Sequence, residues 1–317
     1  MYKQKTLKDS FSLSGQEHFE SLKQDFASQG HNFSYYLDRK EDAATLAERM
    51  KEADIVVISN IKLPAAVLEQ CPRLKYLSVA FTGLDHIDLN YCKNHSITVQ
   101  NAAGYSTTAV SELAVGLMLD VLRHVTSLDG VTRQGSSRGL FLGRELRGKT
   151  VGVVGTGAIG TATIKLLQAF GCKVIAYNRS EHEEVKSLGV AYTDLDTLMH
   201  QSDIVTLHVP MTAETHHLIS RERIGMMKPT AILVNTARGN VVDIPALAEA
   251  LRDGKIAGAG IDVYEAEPPL PSDHPLLAVP NCVCVPHIGY ASREAFDIRA
   301  DIVFDHVRNF LKGNDTK

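Results

Sequence analysis

Three short apolar runs in the second half of the chain end in charged side chains. AILVNTARG delivers Arg238, AGAGIDVYEAEP delivers Asp262 and then Glu267, and CVCVPHIGY delivers His287. Singly, each has a plain structural explanation: a surface ion-pair partner, a loop acid before a proline, a satisfied core histidine. Jointly they offer a guanidinium that can fork onto a carboxylate and polarise an adjoining oxygen. They also offer an imidazole able to exchange a proton near neutral pH and a carboxylate able to hold its tautomer. That set suits redox chemistry at a carbonyl, provided a hydride carrier is held beside it.

The carrier's place is marked by VGVVGTGAIG, residues 151–160. A G-x-G-x-x-G match alone is weak, but here a β-rich run precedes it and the amphipathic ATIKLLQAFG follows. Gly155 permits a tight turn, Gly157 lets the backbone approach a pyrophosphate, and Gly160 allows close helix packing. Ala158 and Ile159 open the helix, whose first N–H groups and dipole attract the pyrophosphate. The ribose-reading position, 18 residues after Gly160, holds Asn178, followed by Arg179 and Ser180. An acidic residue there would repel a 2′-phosphate. Its replacement by an amide, a cation and a hydroxyl favours NADP(H) over NAD(H), while NAD bonded simply by Asn178 stays open.

These residues need elements to position them. Short apolar runs alternate with amphipathic stretches throughout, as in parallel strands joined by helices, an α/β chain. Strands are expected near 32–37 and at 54–59, 74–80 and 97–102, with a helix over 42–53. The run STTAVSELAVGLMLDVLRHV (106–125) reads as a buried helix capped by Ser106 or Thr107. The Gly-, Ser- and Arg-rich 127–150 reads as an extended arm or loop. Six more strand runs, at 150–155, 173–178, 203–208, 231–236, 257–263 and 282–286, amount to a whole doubly wound sheet. In such sheets ligands lie beyond the carboxyl ends of the strands, where Arg238, Glu267 and His287 fall. A last helix over 292–313, ended by Gly313, is expected to pack back on the N-terminal part.

The totals narrow the functions. With 33 Lys and Arg against 37 Asp and Glu, net charge −4, the 317-residue chain has no basic excess for nucleic acid or anionic membrane. No run of about 18 apolar residues and no secretory leader stand out, which places the protein in the cytoplasm by default. The five cysteines, Cys71, Cys92, Cys172, Cys282 and Cys284, are scattered without a C-x-x-C pair. They read as reduced structural thiols, and no metal site is expected.

In that order and spacing, VGVVGTGAIG, NTARGNVVD, GIDVYEAEPP and PHIGY resemble the D-isomer-specific 2-hydroxyacid dehydrogenase family, which includes glycerate, hydroxypyruvate/glyoxylate and phosphoglycerate dehydrogenases. The likeness extends to SVAFTGLDHIDL (78–89) and NAAGYSTTAVSELAVGLMLDVLR (101–123), and so over roughly 54–300. It implies two doubly wound parallel-sheet domains, a Rossmann cofactor domain (104–289) inserted into a flavodoxin-like substrate domain (1–103 and 290–317), with a cleft between them. By the same likeness His287 is the general acid/base, Glu267 bonds its imidazole, and Arg238 orients the substrate's carboxylate and carbonyl. The backbone at Thr82 and Gly83 binds the carboxylate. Asp262 bonds the nicotinamide carboxamide, and His208, Val209, Pro210, Thr236, Ala237 and Gly289 line the cofactor. The likeness also implies a homodimer, with helix 106–125 and the stretch to 150 at its interface.

The implied substrate is a small 2-keto or D-2-hydroxy acid such as glyoxylate, hydroxypyruvate or pyruvate. Tyr290 stands where many members carry a small residue, and Phe81 precedes the carboxylate loop; both could shape the pocket. No arginine cluster lies near 78–86, and Lys62 is the one nearby cation in the sequence, which argues against a phosphorylated substrate. The same architecture serves dinucleotide-controlled corepressors and formate dehydrogenases. Those remain alternatives, with the Glu267 and His287 pair favouring a 2-hydroxyacid enzyme.

Overall fold

All ten strand runs read from the sequence become strands, and every strand pairing is parallel. The computed structural model describes residues 3–7 and 16–313, and its chain divides into two units, Met1–Ser106 with Ala291–Lys317, and Thr107–Tyr290.

The first unit runs β1 (Lys3–Leu7), α1 (Gln16–Ser28), β2 (Asn32–Tyr36), α2 (Ala43–Met50), β3 (Ile55–Ile58), α3 (Ala65–Leu68), β4 (Tyr76–Val79), α4 (Leu89–Asn94) and β5 (Thr98–Asn101). Sheet order β2-β1-β3-β4-β5 is the flavodoxin-like 2-1-3-4-5 winding. Strands β3 and β4 are buried along their whole length, which is why they read as unbroken apolar runs. β1 escaped sequence reading because KQKTL has neither an apolar run nor strict alternation. Its place is fixed by parallel pairing with β2 and β3 on either side.

The second unit opens with α5 (Thr107–Arg123) and α6 (Val125–Arg133). It continues through β6 (Thr150–Val154), α7 (Ala158–Ala169), β7 (Lys173–Tyr177), α8 (Glu183–Ser187), β8 (Ala191–Tyr192), α9 (Leu195–Gln201) and β9 (Ile204–Leu207). It closes with α10 (Arg221–Met226), β10 (Ile232–Asn235), α11 (Ile244–Arg252), β11 (Gly258–Ile261) and β12 (Cys282–Cys284). Order β12-β11-β10-β9-β6-β7-β8 is a Rossmann winding with one extra edge strand, its switch point between β6 and β9. Helix α5 lies across β11 because that strand is glycine-rich. A Cβ at Gly258 would come within 2.7 Å of Val121, and one at Gly260 within 2.9 Å of Leu117.

The expected loop over 127–150 is corrected in its first part, since α6 reaches Arg133. His124, at φ 54°, turns the chain out of α5. Asp120 then accepts the Thr126 N–H at 2.9 Å, and Asp129 pairs with Arg133 one turn on at 2.7 Å. No α6 residue is buried, and Leu140 and Leu142 beyond it are 98% and 81% exposed.

Helix α12 (Arg293–Leu311) belongs to the first unit. Ser292 caps it by accepting the Ala295 N–H at 3.1 Å, and Gly313 ends it at φ 70°. Phe310 stacks on Tyr76 of β4 with ring centroids 4.4 Å apart, and the Val303 carbonyl accepts from Ser78 Oγ at 3.3 Å.

Candidate active site

The proposed acid/base pair is assembled from two loops of the second unit. His287 follows β12 in left-handed backbone, φ 54°, and its Nδ1 lies 2.9 Å from both carboxylate oxygens of Glu267. The imidazole side chain is 14% exposed and the carboxylate 66%. The turn carrying the imidazole is gripped by Asp262, whose carboxylate accepts the N–H groups of Ile288 (2.6 Å) and Gly289 (2.8 Å). Burial raises the pKa of Asp262 against the pull of those two bonds. A Cβ at Gly289 would sit 2.8 Å from the same carboxylate. Tyr290 meets the His287 ring edge-on at 5.3 Å.

Arg238 is positioned by the end of β10. The Asn235 side chain closes the turn, accepting the Ala237 N–H at 3.0 Å and donating to the Arg238 carbonyl at 2.9 Å. Gly239 must be glycine, because a Cβ there would come within 2.0 Å of the Tyr264 carbonyl carbon. The Tyr264 hydroxyl in turn donates to the Val285 carbonyl at 3.0 Å, so one tyrosine braces the turn behind Arg238 and the strand leading to His287. Sequence reading missed Tyr264, whose spacing announces nothing.

The glycine turn follows β6. Gly155 has φ 96°, and a Cβ on it would strike the His208 carbonyl at 2.6 Å; one on Gly160 would strike the Gly155 carbonyl oxygen at 2.0 Å. Gly157, at the N-cap of α7, faces open space, with nothing within 4 Å of a Cβ. Ala158 and Ile159 begin α7, whose first N–H groups have no intrahelical acceptors. Thr236 Oγ1 and His208 Nδ1 are buried with no hydrogen-bond partner among the described residues. An open glycine cradle and two waiting polar atoms at strand ends fit a dinucleotide. Val209, Pro210 and Ala237 lie on the same loops after β9 and β10.

The ribose loop is tied to this turn. Asn178 accepts the Thr156 N–H at 3.3 Å and donates to the Ser180 carbonyl at 2.7 Å; Arg179 and Ser180 are exposed. Tyr192, also missed in the sequence, joins both sides. Its hydroxyl is 2.8 Å from Thr156 Oγ1 and accepts the His182 N–H at 3.1 Å.

In the first unit, the Thr82–Gly83 loop leaves the end of β4, with Thr82 exposed and Gly83 half-buried. The Thr82 carbonyl accepts from Asn101 Nδ2 at 2.6 Å, and buried Phe81 lies 6.4 Å from the Tyr105 ring. Lys62 is not the one cation near this segment. Fully buried Arg299 of α12 donates to the Ala80 carbonyl at 3.5 Å and lies over the Phe296 ring at 4.3 Å. A separation of 219 residues hid it from a search of neighbouring positions.

Residues 115–289 match the family described as D-isomer specific 2-hydroxyacid dehydrogenase, NAD binding domain. A glyoxylate reductase of Thermofilum pendens is 43% identical over 272 residues, 84% of this chain and 80% of that protein. A hydroxypyruvate reductase of Blautia hydrogenotrophica is 35% identical over 280 residues, 86% of this chain and 87% of that one. The crystal structure of D-lactate dehydrogenase from Aquifex aeolicus complexed with NAD and lactic acid superposes with a TM-score of 0.84 at 32% identity, covering 98% of this chain and 96% of the other. The fold, the glycine cradle and these likenesses agree: the chain belongs to the D-isomer specific 2-hydroxyacid dehydrogenases, enzymes that use NAD(H) or NADP(H).

Proposed function

We propose that the protein reduces a small 2-keto acid such as glyoxylate, hydroxypyruvate or pyruvate, with NADPH favoured over NADH. The observation that carries this reading is the double contact of His287 Nδ1 with Glu267. That contact supports an Nδ1–H donated to the carboxylate, with Nε2 the atom that exchanges a proton with substrate. When bound, the dinucleotide supplies a hydride to the keto carbon. His287 protonates the oxygen that develops charge, and Glu267 keeps the ring's tautomer and orientation. Arg238 forks onto the substrate's carboxylate and polarises the neighbouring carbonyl, while the N–H groups of the Thr82–Gly83 loop bind that carboxylate.

The dinucleotide lies on Gly155, Gly157, Ala158, Ile159 and Gly160. His208, Val209, Pro210, Thr236, Ala237, Asp262 and Gly289 line it. Asn178, Arg179 and Ser180 present an amide, a cation and a hydroxyl to a 2′-phosphate, with no carboxylate among them to repel it. Exposed Leu140 and Leu142, and α6 without a buried residue, support a homodimer through the 106–150 region. Five free thiols suit the reducing cytoplasm, and no helix among the described residues is long and apolar enough to cross a membrane.

The test is a matrix of small 2-keto acids against NADH and NADPH. Turnover of at least one acid, faster with NADPH, is expected; no turnover with any acid and either cofactor sinks the reading. His287→Ala is expected to lower kcat/KM about 10²- to 10⁴-fold with cofactor affinity unchanged. Asn178→Asp is expected to shift preference toward NADH, and an unaltered NADPH preference overturns the ribose account.

A further inference from the structure

The strand that leads to His287 carries a second chemistry that hydride transfer does not use. Cys282 and Cys284 occupy alternate positions of β12, so their side chains leave the same face, and the two sulfurs stand 3.6 Å apart. Both residues are half-buried on the edge strand of the sheet. Their side chains pack on the core that includes Val279 and Tyr264, and a cavity of about 330 Å³ that takes in residues from both faces of β12, Val283 and Val285 as well as Cys282 and Cys284, opens along the strand.

We propose that Cys282 and Cys284 form a dithiol site for a thiophilic centre satisfied by two thiolates, a trivalent arsenical or a soft d10 cation, and that occupation of the site inhibits the enzyme through the His287 turn.

Geometry selects this ligand class over a disulfide. Two residues apart on an extended strand, the Cα atoms are about 6.6 Å from each other, at the outer limit of what a disulfide spans. Closing one would buckle β12. A bridging atom asks for less, since two thiolates around a tetrahedral zinc stand about 3.8 Å apart. Among the described residues no cluster of three or more His, Cys, Asp or Glu is placed to hold a metal ion, so the two sulfurs are the protein ligands such a centre would have here. The reactive form is at hand. Contact with the Cys282 sulfur lowers the Cys284 thiol to about 7 despite burial, while the same contact and burial push Cys282 up.

The site is wired to the catalytic turn. Val285 and Pro286 alone separate Cys284 from His287. The Tyr264 hydroxyl holds the carbonyl of Val285, the residue after Cys284, and Tyr264's backbone packs on Gly239 beside Arg238. A ligand on Cys284 shifts the adjoining Val285 carbonyl off that hydroxyl and loosens the support of two catalytic side chains together. With an arylarsonous acid, two S–As bonds form and two As–O bonds break. Each thiol proton leaves with a hydroxyl as water, and arsenic stays trivalent, so no electron acceptor is needed.

Phenylarsine oxide, in equimolar amount, is expected to add once to the full-length protein by intact mass. It is expected to lower kcat/KM more than 10-fold, reversibly with 2,3-dimercaptopropanol but not with an equal thiol concentration of 2-mercaptoethanol. Cys282→Ser/Cys284→Ser is expected to keep basal activity and resist the reagent; Cys284→Ser alone is expected to lose the dithiol-only reversal. A Cd²⁺ titration followed by sulfur-to-cadmium absorbance separates a soft cation from arsenic. No adduct in wild type, or the same adduct in the double variant, overturns the site; an adduct with full activity overturns the inhibition. The mass readout is independent of the proposed reductase reading, on which the activity readout rests.

Discussion

His287 occupies left-handed backbone, a conformation that costs a non-glycine residue about 1–2 kcal/mol. The two Asp262 bonds to the following N–H groups hold it there. The imidazole is therefore fixed from both ends, by Asp262 through the backbone and by Glu267 through Nδ1. Glu267→Gln is expected to lower kcat about 100-fold while leaving the cofactor dissociation constant unchanged, read by stopped-flow and fluorescence titration. His208 yields a pH prediction. Burial lowers its pKa from 6.5 to about 4, so between those values the unfolded chain binds a proton that the folded protein refuses. Stability from this residue is present above pH 6.5 and is lost as pH falls toward 4. His208→Asn removes that slope, of the order of 3 kcal/mol across the window; Tm measured from pH 7 to 4 is expected to fall less in the variant. The type and order of Arg238, Glu267 and His287 were legible in the sequence because each follows an apolar run. Tyr264, Tyr192 and Arg299 were not, since their partners are non-local and nothing in their own spacing announces them.

At the scale of elements, the glycine turn separates what folding requires from what binding requires. A Cβ on Gly160 meets a carbonyl oxygen at 2.0 Å, whereas one on Gly157 meets nothing within 4 Å. Gly160→Ala is expected to destabilise the fold by about 3 kcal/mol. Gly157→Ala is expected to keep the wild-type Tm and weaken dinucleotide binding more than 10-fold, because the methyl takes the pyrophosphate's place. Calorimetry and a cofactor titration on both variants check the contrast. Strands were readable where they are buried on both faces, as at β3, β4, β9 and β10. β1 and the two-residue β8 carry too little apolar signal, and α6 was concealed by a Gly- and Ser-rich composition that usually marks loops. The supports of α6 are the Asp120 carboxylate of the preceding helix, which accepts the Thr126 N–H, and the Asp129–Arg133 pair within it.

For the whole molecule, the exposed Leu140 and Leu142 set the expectation. Leu140→Glu/Leu142→Glu is expected to convert the proposed dimer to monomer in sedimentation velocity and to abolish any concentration dependence of Tm. An unchanged sedimentation coefficient at dimer mass removes the 134–149 segment from the interface. The winding of both sheets followed from the alternation of runs, and the family resemblance supplied what periodicity could not, the return of residues 292–313 to the first unit. That return has a consequence for biosynthesis. Tyr76 and Ser78 of β4 receive Phe310 and Val303 only after residues 107–290 have left the ribosome. The cofactor-type unit is translated in full while the face of β4 still waits for its cover. Nascent chains arrested near 290 are therefore expected to leave that face of β4 uncovered, and the first-made unit is the last to be finished.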